Sequence, residues 1–76
     1  MNKNIIGKSF VFTGFRNEAM EKYITDNGGE VQKNITKKTT HLIMKDIHNT
    51  INLKVKQAEE KGIIIMTEQE FEKLMI

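Results

Sequence analysis

Two kinds of apolar pattern alternate along the chain: short continuous runs, and residues spaced at helical intervals. Phe10-Val11-Phe12, Leu42-Ile43-Met44 and Ile63-Ile64-Ile65-Met66 are continuous and rich in β-formers, the mark of strands covered on both faces. Ile5-Ile6 precedes the first run and is expected to tuck under the sheet, and the run itself stops at Thr13-Gly14. From Asn17 to Asn27 the apolar residues are Ala19, Met20, Tyr23 and Ile24, a helical stripe. Asn17 is placed to cap that helix, with Glu18 in its first turn, and Gly28-Gly29 ends it.

Glu30-Val31-Gln32 has a single apolar residue and suits a short strand at a sheet edge, and Asn34 to Thr40 reads as a polar loop. Lys45 to Ile51 is a second loop. A helix follows, capped by Asn52, with Ile51, Val55 and Ala58 on one face and Gly62 at its end. Thr67-Glu68-Gln69-Glu70 is a capping box, in which Thr67 and Glu70 satisfy each other's orphan amides, and Phe71, Leu74 and Met75 form the apolar face of the last helix. The order is β-α-β-β-α-β-α over one domain, residues 1–76. Continuous apolar strands separated by helices imply an α/β fold, with a mainly parallel sheet and helices on both faces.

Composition narrows the function by exclusion. The chain has no cysteine, which removes disulfides, zinc-thiolate sites and a thiol nucleophile. No run approaches a membrane span and no secretion signal is legible, so an intracellular protein without a membrane is expected, and the Asn34-Ile35-Thr36 sequon carries no weight. A formal charge of +2 permits only weak, salt-sensitive contact with DNA, through Lys8, Arg16, Lys37, Lys38 and Lys54. Gly7-Lys8-Ser9 imitates the tail of a phosphate-binding P-loop, but that motif needs a glycine where Asn2 stands and must follow a strand. The two histidines are His41 in a strand and His48 in a loop, and both read as structural. Neither catalysis, a metal nor a cofactor is indicated.

One constellation points to a ligand. Thr13 offers a hydroxyl at a strand end, and Gly14 lets the backbone turn and present its N–H. Lys54 falls in the first turn of the second helix, where the macrodipole disfavours a cation unless an anion is shared between its ammonium and the helix N-terminus. A solvated surface lysine is the plain alternative.

Over essentially its whole length the chain resembles a BRCT domain, the module of DNA-damage-response and DNA-replication proteins. The likeness is carried by Gly7 to Gly14, Gly28-Gly29-Glu30-Val31, Thr36 to Ile43, Lys54 to Ala58 and Gly62 to Ile65, in that order and spacing. Its flavour is that of the single module of bacterial NAD-dependent DNA ligases and related viral proteins. The resemblance implies a four-stranded parallel sheet of order 2-1-3-4 flanked by three helices. In phosphopeptide-binding members a Ser or Thr plus Gly after the first strand and a Lys opening the second helix hold the phosphate. Thr13, Gly14 and Lys54 match, with Arg16 a further candidate, since DNA-binding members use an arginine in a longer turn. Phe71 stands where the family usually has Trp. A non-catalytic, monomeric module of the nucleus, nucleoid or viral replication site is implied, binding a phosphorylated protein. The alternatives are a 5′-phosphate DNA end, in a ligase or clamp-loader-type protein, and a purely structural docking module. Tight phosphopeptide readers usually pair two copies, so a lone module should bind modestly.

Overall fold

The computed structural model describes residues 1–46 and 53–75. Strand β1 (Ser9–Thr13) is followed by helix α1 (Glu18–Asp26), strands β2 (Glu30–Gln32) and β3 (His41–Met44), helix α2 (Leu53–Lys61), strand β4 (Ile64–Thr67) and helix α3 (Glu68–Leu74). The four strands form one parallel sheet in the order β2-β1-β3-β4, as the resemblance implied. Phe10 pairs with Val31 on one side and His41 on the other, and His41 pairs with Ile64.

Alternation along β1 divides the core into two layers. Phe10 joins Ile5, Met20, Ile24, Ile43 and Phe71 under α1 and α3. Val11 joins Leu42, Met44, Val55 and Ala58 under α2. On the first face Phe71 meets Phe10 edge-on with centroids 5.5 Å apart, and His41 stacks on Phe10 at 4.6 Å. His41 is thus a buried core residue, its Nδ1 hydrogen-bonded at 2.7 Å to the Thr40 hydroxyl.

The helix ends follow the sequence closely. Asn17 Oδ1 accepts from the Met20 N–H at 3.0 Å, and Thr67 with Glu70 completes the capping box. At the other end of α1 the Gly28 N–H reaches the Thr25 carbonyl and the Gly29 N–H the Ile24 carbonyl, the paired bonds of a Schellman cap. The two glycines serve different needs. Gly28 takes the left-handed conformation, at φ +80°. Gly29 lies so close to Ile5 that a Cβ would stand 2.9 Å from the Ile5 carbonyl oxygen.

Four expectations fail, each for a geometric reason. Ile5 is fully buried, but Ile6 points out and is half exposed, because the turn there presents one isoleucine to the core and not two. Ala19 is exposed, since Met20, Tyr23 and Ile24 already fill the inward face of α1. In β4, Ile64 is 54% exposed and Ile65 and Met66 half-buried, with Ile63 half-buried just before them. β4 has a neighbour on one side only, so an all-apolar run does not make it a central strand. Phe12 is likewise half-buried, for a reason that matters to the site. The expected cap Asn52, the apolar Ile51 and His48 lie outside the described residues.

Candidate functional site

In a parallel sheet, ligand-binding crevices lie outside the carboxyl ends of the strands, where all loops leaving them converge. At that end β1 delivers Thr13 and Gly14. Thr13 shares the α2 face with Val11, two residues earlier, and pairs with Met44 of β3. It is 6% exposed, while Gly14 is open to solvent at φ +80°. A left-handed residue there swings the chain out of the sheet plane, leaving the backbone of the turn bare of side chain.

Lys54 lies in the first turn of α2, and its ammonium donates to the carbonyl oxygen of Lys33 at 2.9 Å. Lys33 directly follows β2. Val11 opposes Gln32, so Lys33 is level with Phe12 on the neighbouring strand, one residue short of Thr13. Neighbouring strands are roughly 4.8 Å apart, so the ammonium is anchored beside the end of β1, on the side of the sheet that Thr13 faces. The acceptor is a neutral carbonyl, which an incoming anion could displace.

Arg16 is oriented differently. Its Nε lies 3.7 Å from Glu21 Oε2 on α1, and the side chain is 80% exposed. The turn bearing it is braced from three elements. Asn17, the cap of α1, donates from Nδ2 to Glu68 Oε2 at 2.9 Å, while Lys45 donates to Glu68 Oε1 at 2.9 Å and stands 5.4 Å above the Phe15 ring. These two hydrogen bonds, that from Lys45 first, hold the Glu68 carboxyl below its ordinary range. Phe15 in turn packs edge-on against Phe12 at 5.5 Å. The Thr13 to Asn17 turn is therefore a held structure with short tethers to α1, to α3 and to Lys45 just after β3.

On the α1 side of the same strand ends lies a groove of about 430 Å³. Phe12, Phe15 and Val31 supply its apolar lining, and Arg16, Glu21, Gln32 and Lys33 its polar lining. This explains the partial exposure of Phe12: the last inward residue of β1 passes beyond the cover of α1 and becomes a groove wall. The groove and the Lys33 carbonyl are absent from the sequence reading. The signal for the groove was present, in an aromatic residue on each side of Thr13-Gly14, but both had other ready explanations. Nothing in the sequence marked a main-chain carbonyl as the anchor of Lys54. Among the described residues no cluster of acids or histidines is arranged to hold a metal ion.

A four-stranded parallel sheet of order 2-1-3-4 flanked by three helices defines the class of fold. The BRCA1 C Terminus (BRCT) domain family matches residues 6–75, and the chain belongs to that family. It is a non-catalytic module. Among characterised proteins it is 36% identical over 66 residues to a DNA ligase of Acanthamoeba polyphaga mimivirus, a match covering 87% of this chain and 10% of that protein. It is 34% identical over 79 residues to a DNA ligase of Thermoanaerobacter pseudethanolicus, covering 99% of this chain and 12% of the ligase. The chain thus spans about a tenth of the length of these relatives. In fold it is similar to Rad4 BRCT1,2 solved in complex with a Crb2 phosphopeptide, with a TM-score of 0.81 at 17% identity, covering 99% of this chain and 41% of that one. The complex of Rad4 BRCT1,2 with a Mdb1 phosphopeptide gives a TM-score of 0.78 at 18% identity, covering 93% of this chain and 39% of that one.

Proposed function

We propose that this module recognises a phosphate monoester on a phosphorylated protein within a DNA repair or replication assembly, through the Thr13 hydroxyl, the Gly14 N–H and the Lys54 ammonium. The observation that carries this reading is the position of Lys54. Its ammonium sits against its own helix dipole, tethered to a main-chain carbonyl beside the end of β1. A phosphate there gains the lysine charge, the α2 N-terminus and an open glycine amide in a single place. Arg16 joins only by leaving Glu21, so it has a secondary part. The fold similarity to phosphopeptide complexes supports a protein ligand. The relatedness to DNA ligases favours a second reading, in which the same groups take the 5′-phosphate of a DNA end.

NMR titration with a phosphoserine peptide and with 5′-phosphorylated DNA, following the Gly14 and Lys54 amides, separates the two. Hydrogen bonds to charged groups contribute roughly 1.5–3 kcal/mol, so Lys54→Ala should weaken the phosphorylated ligand by at least about tenfold. Stability should barely change, because the exposed Lys33 carbonyl reverts to water while the dipole conflict is relieved. Lys56→Ala, on the exposed face of α2, is the control. Equal behaviour of the two variants towards the phosphorylated ligand would remove the pocket and leave a purely structural docking module.

A further inference from the structure

We infer that the carboxylate of Glu68, at the start of α3, is a positioning residue for the phosphate site: it holds the Thr13 to Asn17 turn and so keeps the Gly14 N–H in place for a phosphate monoester. This inference rests on the phosphate reading above. It starts from the glycine. Gly14 takes φ +80° in the middle of an irregular turn and has no side chain with which to fix itself. A donor with that freedom serves an anion well only if its neighbours restrict it beforehand. On one side Thr13 is fixed in β1 by its pairing with Met44. On the other side Asn17 is fixed twice. Its Oδ1 accepts from the Met20 N–H at 3.0 Å, and its Nδ2 donates to Glu68 Oε2 at 2.9 Å.

The same carboxylate reaches the middle of the turn through Lys45. Its Oε1 accepts from Lys45 Nζ at 2.9 Å, and that ammonium stands 5.4 Å from the centre of the Phe15 ring, which packs edge-on against Phe12. Glu68 thus joins partners 51 and 23 residues away in the chain, with a side chain only 19% exposed. Lys45 balances its charge, so the tether brings no net negative charge towards an anion site. The arrangement requires a carboxylate. Two donors converge on two acceptor oxygens, whereas a glutamine of the same shape has one such oxygen and turns an NH₂ group on either Lys45 or Asn17. Electrostatics and positioning therefore predict opposite outcomes for Glu68→Gln. Losing a negative charge near an anion site should tighten binding, and losing the tether should weaken it.

The test is an amide NMR titration of the whole chain with N-acetyl-phosphoserine amide and with its unphosphorylated serine counterpart. Glu68→Gln should weaken the phosphorylated probe by about fivefold. Asn17→Ser should weaken it by a similar factor. That change leaves the net charge untouched and keeps a hydroxyl to cap α1, but its side chain is too short to reach Glu68. The double variant should bind no more weakly than either single one, because both cut the same tether. Gly29→Ala, which strains the opposite end of the sheet, should lose stability yet keep its affinity within about twofold, which separates positioning from general destabilisation. Amide spectra establish that each variant is folded, and Asn17→Ser carries the test should Glu68→Gln not fold. Unchanged binding in Asn17→Ser, or unchanged or tighter binding in Glu68→Gln, while Lys54→Ala still weakens the probe, overturns the positioning role and leaves the phosphate reading intact. Losses that add in the double variant overturn the shared tether. A phosphorylated probe that moves the Gly14 and Lys54 amides no more than its serine counterpart overturns the phosphate reading, and this inference with it.

Discussion

The two faces of the sheet are built to different standards. Under α1 and α3 lie Phe10, Ile5, Ile24, Ile43 and Phe71, all fully buried, with His41 stacked on the central ring. Among the described residues the α2 face has no aromatic residue in its core, and the helix covering it contributes only Val55 and Ala58 and opens with an exposed leucine and a cation. Large interlocking side chains confer most of the stability, while a helix that contributes less to packing can carry an unfavourable lysine at its N-terminus. The difference assigns stability mainly to one face, and the proposed phosphate site lies at the rim of the other.

The largest test of that division pairs a core truncation from each face. Phe71→Ala should cost roughly 3–5 kcal/mol, a large part of the stability of so small a domain. Val55→Ala should cost about 2 kcal/mol, for two lost methyl groups and a cavity that a lone helix can partly close. Equal losses in urea denaturation would erase the distinction between the faces.

Gly29→Ala comes next. The added methyl would meet the Ile5 carbonyl at 2.9 Å, and a backbone atom cannot rotate away. Destabilisation of roughly 1–3 kcal/mol is expected, of the size seen for overpacked cores. A neutral result would mean that the N-terminal turn holding Ile5 is not packed tightly on α1.

A smaller effect is expected at the start of α3. Thr67→Ala removes the cap of the helix that presents Phe71 and should cost about 1 kcal/mol. Thermal unfolding reads it directly.

The smallest effect is a pH dependence. Burial, and secondarily the charge of Lys8, depress the His41 pKa from its ordinary value of 6.5. The unfolded chain therefore binds this proton more readily than the folded one, so stability is fully present above about 6.5 and declines as pH falls towards and through the depressed value. His41→Phe keeps a ring on Phe10 and removes the titration. Between about pH 7.5 and about pH 5.5 its urea midpoint should fall less than that of the unaltered chain. Parallel profiles would show that His41 is not the buried neutral group described.

Much of this architecture was legible from local chemistry. Caps depend on a few neighbouring residues, so Asn17, Gly28 and the Thr67–Glu70 box could be read off the chain and appear where expected. The Val31 strand was correctly put at an edge, because one apolar residue in three cannot cover a central position. The Ile63 to Met66 run misled for the complementary reason. Hydrophobicity reports that a segment seeks cover and does not report how many neighbours it finds.

The sequence alone determined the order of the elements, the caps of α1 and α3 and the Phe10 to Phe12 strand. Each follows from propensities and spacings that act within about a dozen residues. Tertiary structure alone decided what lies far apart in the chain and touches in space. Asn2 donates to the Tyr23 hydroxyl and to the Leu74 carbonyl, fastening the N-terminus to α1 and α3. Lys54 finds its acceptor in the main chain of Lys33, and Phe12, Phe15 and Val31 meet around a groove that no periodicity announces. A backbone carbonyl has no residue-specific signature, and a groove is space left where packing stops, so neither is written in any single stretch of sequence.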